Sequence, residues 1–247
     1  MATRHDFSVI VCTRNRAPSL DLTLAGLEVA DRSGLDVDII VVDNGSADNT
    51  REVVEGWKDR LPVRYLREDT LGMGPCMNAG IEQPDLGELV VKLDDDMTVE
   101  PDWFQGMKAA TGRWPEVDVF CGRILVAWPD GTPPPSFEHP SLSWIFSALD
   151  CGDREVPVFN RDLPITSGNY WIRKRVFERG FRYEHKWLAD PNILVRLAEA
   201  GCQGMAVPDA VMHHRVQDHL LDRDGVWARA MSVGRNMPLE LDRKSVV

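Results

Sequence analysis

The chain reads as an α/β fold, a mostly parallel, doubly wound sheet flanked by helices. Two observations predict it. Short apolar runs rich in β-branched residues recur as FSVIVC (7–12), VDIIVVD (37–43), VRYLRE (63–68) and ELVVKLD (88–94), and continuous apolar strands of this kind belong to sheets covered on both faces. Between them lie segments with helical spacing, among them Leu20, Leu24 and Leu27, then Val53, Val54 and Trp57. Strands that alternate with helices over short connections pair in parallel, and their ligand crevice lies beyond the carboxyl ends of the strands.

Each element follows in order. Pro18 is tolerated in the first turn of the first helix, whose pattern fades near DRSG (31–34). NGSADNT (44–50) turns into the second helix, and GPCMNAGIEQ (74–83) reads as a short helix after a glycine-bearing loop. The second half is less regular. A helix is expected to begin near Pro101, VDVFCGRILVAW (117–128) is a strand or a bent pair of strands, and PDGTPPPSFEHP (129–140) can continue neither, because proline removes donors and fixes the backbone. That stretch is expected to be a mobile loop. PNILVRLAEAG (191–201) has helical periodicity, GMAVP (204–208) suggests a short last strand before DAVMHHRV, and GVWARAMSV (225–233) suggests a helix in an otherwise polar end. There is no internal repeat, and the 247 residues are expected to form one compact domain.

Composition narrows the function classes. Lys and Arg total 28 against 39 Asp and Glu, a formal charge of -11, which argues against a broad nucleic-acid-binding surface. No stretch approaches the roughly 18 apolar residues of a membrane span, and MATRHDFSVIVC lacks the form of a signal peptide. A cytoplasmic protein is expected. Cys12, Cys76, Cys121, Cys151 and Cys202 make neither a CxxC pair nor a disulfide framework, so they read as reduced and buried, without zinc spacing.

The strand ends carry the chemistry. Thr13 to Arg16, Asp43 to Ser46, and Asp94 to Asp96 each follow a predicted strand. In an extended backbone Asp94 and Asp96 share a face and Asp95 points away. Adjacent carboxylates raise one another's pKa, and a divalent cation removes that conflict; hard oxygen ligands suit Mg2+ or Mn2+, with substrate phosphates completing the shell. A solvated acidic turn explains the same string, and Asp43 equally well caps the GSADNT turn. Arg14 and Arg16 are candidates to attract a diphosphate.

The assembled pattern resembles glycosyltransferase family 2, enzymes with the Rossmann-like GT-A fold. The resemblance rests on VIVCTRNRAPSLDLTLAGL, IIVVDNGSADNT, GPCMNAGI, VVKLDDDMTVEPDWF, SGNYWIRKRVFERGF, LADPNILVRLAEAG and VPDAVMHH, which occur in family order over about residues 7–215. It implies donor contacts at Cys12, Thr13, Arg14 and Asp43, ribose and phosphate-side contacts at Asp94 and Asp95, and direct metal binding at Asp96. It also implies a general base at Asp190 and a metal- or diphosphate-assisting histidine at His214, with His213 packing inward. Asn78 is expected to order the donor loop, although Met77 stands where the family often has a basic residue. Ala189 and Asn192 likewise depart from the acidic neighbours usual around Asp190. On the acceptor side Gly168 and Asn169 fall in the SGNYW motif, and Trp171 and Trp187 are candidate sugar platforms, with core packing an equal explanation.

Residues 1–100 would then hold nucleotide and metal, 101–215 the acceptor, and 216–247 form an extension. The expected activity is metal-dependent, inverting transfer of a sugar from a nucleotide-diphosphate donor, with a UDP-sugar first among candidates, to an acceptor the sequence does not name. The sequence also leaves room for a homodimer. Two other classes compete: a sugar-phosphate nucleotidyltransferase, disfavoured because CTRNRAP contains no glycine, and a noncatalytic nucleotide-sugar sensor, which needs donor contacts but no base at Asp190.

Overall fold

A computed structural model describes residues 5–131, 144–159, 168–184, 186, 189–217 and 221–236. The proline-rich stretch falls largely outside them, as does Trp187. Strand β1 (Phe7–Thr13) and β2 (Val37–Asp43) are buried along their whole length, as continuous apolar runs require. They pair in parallel with each other, and β3 (Val63–Arg67) and β4 (Leu89–Asp94) extend the parallel array on either side. Helices α1 (Ala17–Val29), α2 (Thr50–Trp57) and α3 (Met73–Ile81) make the crossovers.

Beyond β4 the sheet changes character. The order is β3-β2-β1-β4-β8-β6-β9-β5, with β7 (Val156–Val158) also on β9. β8 (Asn169–Arg173) lies antiparallel between β4 and β6 (Val119–Ala127), β6 pairs in parallel with β9 (Gly204–Arg215), and β5 (Met97–Val99) closes antiparallel on β9. Helices α4 (Trp103–Arg113), α5 (Lys174–Glu178), α6 (Ala189–Glu199) and α7 (Arg223–Asn236) complete the described elements. Helices cover both faces: the Phe104 ring of α4 packs edge-on to Phe7, centroids 5.6 Å apart, whereas Gly80 of α3 sits against Ile10 on the opposite face. A methyl group on Gly80 would meet the Ile10 side chain at 2.8 Å, so α3 lies on the sheet only because this position has no Cβ.

VDVFCGRILVAW holds one strand, the first of its two expected forms, whereas GMAVPDAVMHHR changes the expectation, being a single strand of 12 residues rather than a short one. Pro208 does not end β9 because the β6–β9 register shifts at that point: Val207 faces Gly122 while Val211 faces Arg123. At such a bulge the ladder asks no donor of proline.

Candidate functional site

The crevice opens where the strand order reverses, with β2 on one side of β1 and β4 on the other, so Cys12 lies opposite Asp94. A cavity of about 370 Å³ is lined there by Cys12, Thr13, Arg14 and Arg16, by Asn44, Met73 and Cys76, and by Asp94, Asp95, Asp96, Met97, Ser147 and His214. Six predicted donor and metal residues therefore converge with Arg16: Cys12, Thr13, Arg14, Asp94, Asp95 and Asp96, faced by His214 from β9.

The three aspartates do not alternate as an extended strand would require. β4 stops at Asp94, and Asp95 and Asp96 form a turn before β5, so Asp95 turns inward beside Asp96. The Thr13 hydroxyl donates to Asp95 Oδ2 at 2.7 Å, and Arg16 donates from Nη1 to Asp95 Oδ1 at 2.7 Å and from Nη2 to Asp96 Oδ2 at 2.9 Å. Asp94 has a different partner, the Lys92 ammonium at 2.6 Å. Lys92 is 2% exposed and stands directly opposite Tyr170 in the β4–β8 ladder. The turn itself is clamped from behind: the Ser19 hydroxyl donates to the Asp95 carbonyl at 2.8 Å, and Arg215 donates to the carbonyls of Met97, Ser19 and Asp95.

Burial sets the protonation of these groups. Desolvation pushes Asp95 up to about 6, against the opposing pull of Arg16. A carboxyl whose folded pKa lies above its ordinary value binds protons preferentially in the native state, so its contribution to stability declines as pH rises. The ligand-free protein is expected to lose up to about 3 kcal/mol of stability relative to Asp95→Asn between about pH 4 and pH 6, read from denaturant midpoints of both proteins across that range. A constant difference between them would contradict it. Asp96 goes the other way: burial raises it, but His214 and Arg16 together hold it below the usual carboxylate range.

His214 is 2% exposed, and both of its nitrogens are directed. Nδ1 donates to the Phe146 carbonyl at 2.7 Å, which leaves Nε2 facing Asp96 Oδ2 at 3.5 Å. An imidazole fixed through one nitrogen by a backbone carbonyl, with the other turned toward a carboxylate, suits an ion pair and a metal ligand alike. Among the described residues no group of three or more His, Cys, Asp or Glu side chains is placed to hold a metal ion. Asp96 and His214 are the side chains here that would hold a cation, with phosphate oxygens to complete its shell. The inward packing expected of His213 is corrected: its side chain is 30% exposed, with Nε2 2.5 Å from Glu100 Oε1, and His214 is the buried one.

The remaining predicted residues lie around this centre or outside it. Asp43 is buried, and its oxygens accept from the Ser46 amide at 2.8 Å and the Tyr65 hydroxyl at 2.6 Å; the capping alternative describes these contacts. Asn78 ties α3 to Tyr183, donating to its carbonyl and accepting from its amide. Met77 is buried in the core. Gly168 belongs to the crevice: its φ is +130°, and a Cβ there would meet Met97 Cε at 3.0 Å and Asp94 Oδ2 at 3.4 Å. Asn169 does not present its amide to a ligand, because the side chain accepts from Trp103 Nε1 and donates to the carbonyls of Arg123 and Ala210.

The platform assigned to Trp171 is corrected. The indole is 0% exposed, stacked on Phe120 at 5.3 Å, and donates to Thr111, so its faces are spent on the core. Trp171→Ala is expected to cost about 3–5 kcal/mol of stability, seen as a lower urea midpoint. Full stability combined with weakened acceptor binding would restore the platform. Asp190 lies in the first turn of α6. Sequence reasoning passed over Lys92 and Ser147, and it missed the clamp formed by Arg215. Lys92 had a readable signal, a lone cation interrupting the apolar run VVKLD just before the acidic turn.

The family model described as Glycosyl transferase family 2 matches residues 8–181, well over half the chain. The chain belongs to that family. Among curated relatives, the validoxylamine A glucosyltransferase of Streptomyces hygroscopicus subsp. jinggangensis is 34% identical over 105 residues, 42% of this chain and 25% of that protein. The match thus spans about a quarter of that relative's length. The amylovoran biosynthesis glycosyltransferase AmsE of Erwinia amylovora is 24% identical over 226 residues, 90% of this chain and 80% of AmsE. Solved structures share the fold. Residues 1–349 of S. aureus TarS in complex with UDP align with a TM-score of 0.65 at 20% identity, covering 86% of this chain and 61% of that one. The mannosyltransferase PcManGT of Pyrobaculum calidifontis in complex with GDP-Man and Mn2+ aligns at 0.61 and 21% identity, covering 87% and 58%. This family 2 member has a mixed single-sheet GT-A fold. No helix among its described residues is long and apolar enough to cross a membrane.

Proposed function

We propose that this family 2 member is a glycosyltransferase that moves a sugar from a nucleotide-diphosphate donor to an acceptor hydroxyl in one inverting, metal-assisted displacement, within the cytoplasm. The observation that carries the reading is the pairing of Asp96 Oδ2 with His214 Nε2 at 3.5 Å, the imidazole held from behind by the Phe146 carbonyl. A divalent cation, Mn2+ or Mg2+, held by these two residues would neutralise the departing nucleoside diphosphate. PcManGT is a relative of this fold solved with GDP-Man and Mn2+. Donor binding falls to Cys12, Thr13 and Arg14 at the end of β1 and to Asp94 and Asp95 at the end of β4, which share one cavity. Asp43 supports the nucleotide side through the loop it caps, and Asn78 through its anchor to Tyr183.

Asp190 is the proposed general base. A carboxylate within hydrogen-bond reach of the acceptor hydroxyl takes its proton as the oxygen attacks the anomeric carbon from the side opposite the diphosphate, and a single displacement inverts that carbon. Gly168 borders the acidic turn and Trp187 belongs to the acceptor side in this reading. A UDP-sugar is the first donor to test, since TarS was solved with UDP-GlcNAc and with UDP.

The test is incubation of the full chain with a panel of UDP- and GDP-sugars, Mn2+ and mixed acceptors. Release of nucleoside diphosphate together with a glycosylated acceptor is expected. Pyrophosphate as the product would mean nucleotidyl transfer, and saturable donor binding with no turnover on any acceptor would mean a sensor.

A further inference from the structure

The acidic turn is already neutralised by the protein itself. Asp94 is paired with Lys92, Asp95 and Asp96 share the Arg16 fork, and Arg215 sits behind the turn on the Asp95 carbonyl. Three carboxylates thus pair with two permanent cations, and a third, Arg215, lies behind them on the backbone. More pointedly, Arg16 donates to Asp96 Oδ2, the same oxygen that faces His214 Nε2. A bare divalent ion approaching that oxygen meets a guanidinium already there and finds no surplus negative charge to compensate it.

Resting on the reading of this crevice as a metal and diphosphate site, we propose that Arg16 is a resident counter-cation, which admits the metal only in company with the diphosphate. The side chain is 38% exposed and lines the cavity, so its guanidinium has open space to turn into. Its backbone stays fixed: the Arg16 carbonyl accepts from the amides of Ser19 and Leu20 at 2.9 and 3.0 Å, anchoring the first turn of α1. When a diphosphate enters, its oxygens offer the planar fork a new bidentate partner. Asp96 Oδ2 is then released to the cation, and the phosphate charge restores the balance. Arg16 thereby exchanges one anion for another instead of leaving the site, and it discriminates against free metal without touching the sugar.

The experiment is calorimetric titration of Mn2+ into the full-length wild type, Arg16→Gln, Arg16→Lys and the double variant Arg16→Gln with Asp96→Asn, each with and without UDP or GDP. Removing one unit of like charge a few ångströms from the ion is expected to make Arg16→Gln bind Mn2+ alone at least about tenfold more tightly than wild type. Arg16→Lys, which keeps the charge, stays near wild type, and combining Asp96→Asn with Arg16→Gln abolishes the gain. Added nucleoside diphosphate should tighten Mn2+ binding far more in wild type than in Arg16→Gln. Equal affinity of wild type and Arg16→Gln for Mn2+ alone, with binding in the presence of UDP or GDP intact, overturns the Arg16 role and leaves the metal site standing. Wild-type protein that takes up Mn2+ equally well with and without diphosphate also overturns it, and that comparison suffices should Arg16→Gln fail to fold. No Mn2+ uptake under any condition removes the metal reading and the Arg16 role together.

Discussion

Asp96→Ala is expected to lower sugar transfer about a thousandfold, the scale of losing a preorganised electrostatic contact to a leaving group. Its carboxylate is the point at which Arg16, at 2.9 Å, and His214, at 3.5 Å, meet. Removing it leaves the imidazole without an anionic companion and takes away one of the two proposed metal ligands. The fold should survive, because the turn is held independently through its backbone: the Ser19 hydroxyl and the Arg215 guanidinium bond to the Asp95 carbonyl, and the Arg215 amide donates to the Asp96 carbonyl at 2.9 Å. Nucleoside diphosphate release, measured over a range of Mn2+ concentrations, is the readout, with a thermal melt run alongside. Metal-supported transfer at the wild-type rate would remove Asp96 from the centre of the site.

Asp190→Asn should lose transfer by about a hundred- to ten-thousandfold, the usual span for a general base, while donor and metal bind as before. The two variants are complementary, since the proposal puts Asp96 on the leaving side and Asp190 on the attacking side. Asp190 also stands in the first turn of α6, where an anion contributes about 0.3–1 kcal/mol through the helix dipole. A small drop in melting temperature is therefore compatible with the assignment. Preserved turnover is not, and would leave the residue as a helix-end charge.

The parallel half of the molecule was legible in sequence because its signals are local. FSVIVC and VDIIVVD are apolar without interruption, and β1 and β2 occupy those runs. The second half was harder, since its strands are defined by their partners. Met97–Val99 lies directly after three aspartates and carries no strand signal of its own; it is a strand because β9 offers it an edge. Asn169–Arg173 was recognised as a motif but not as the antiparallel strand inserted between β4 and β6. Pro208 disguised the length of β9 in the same way. At the site, the residue types at the strand ends were readable, whereas their pairing was not. Strand alternation predicted that Asp95 turns away from Asp96, and a turn beginning at Asp95 gives both to one arginine. Trp171 misled for a related reason: an indole in a family motif has the same letter whether it faces a ligand or Phe120.

The short β5–β9 ladder sets Met97 opposite His214 and Thr98 opposite His213. Because side chains along a strand take opposite faces in turn, displacing that pairing by one residue would send His214 out to the rim and swing His213 toward the acidic turn. The two adjacent imidazoles are therefore told apart by odd-even counting alone. Anyone grafting a new acceptor module onto this scaffold has to keep the pairing of β5 on β9 in register, from Asp96 opposite Arg215 inward.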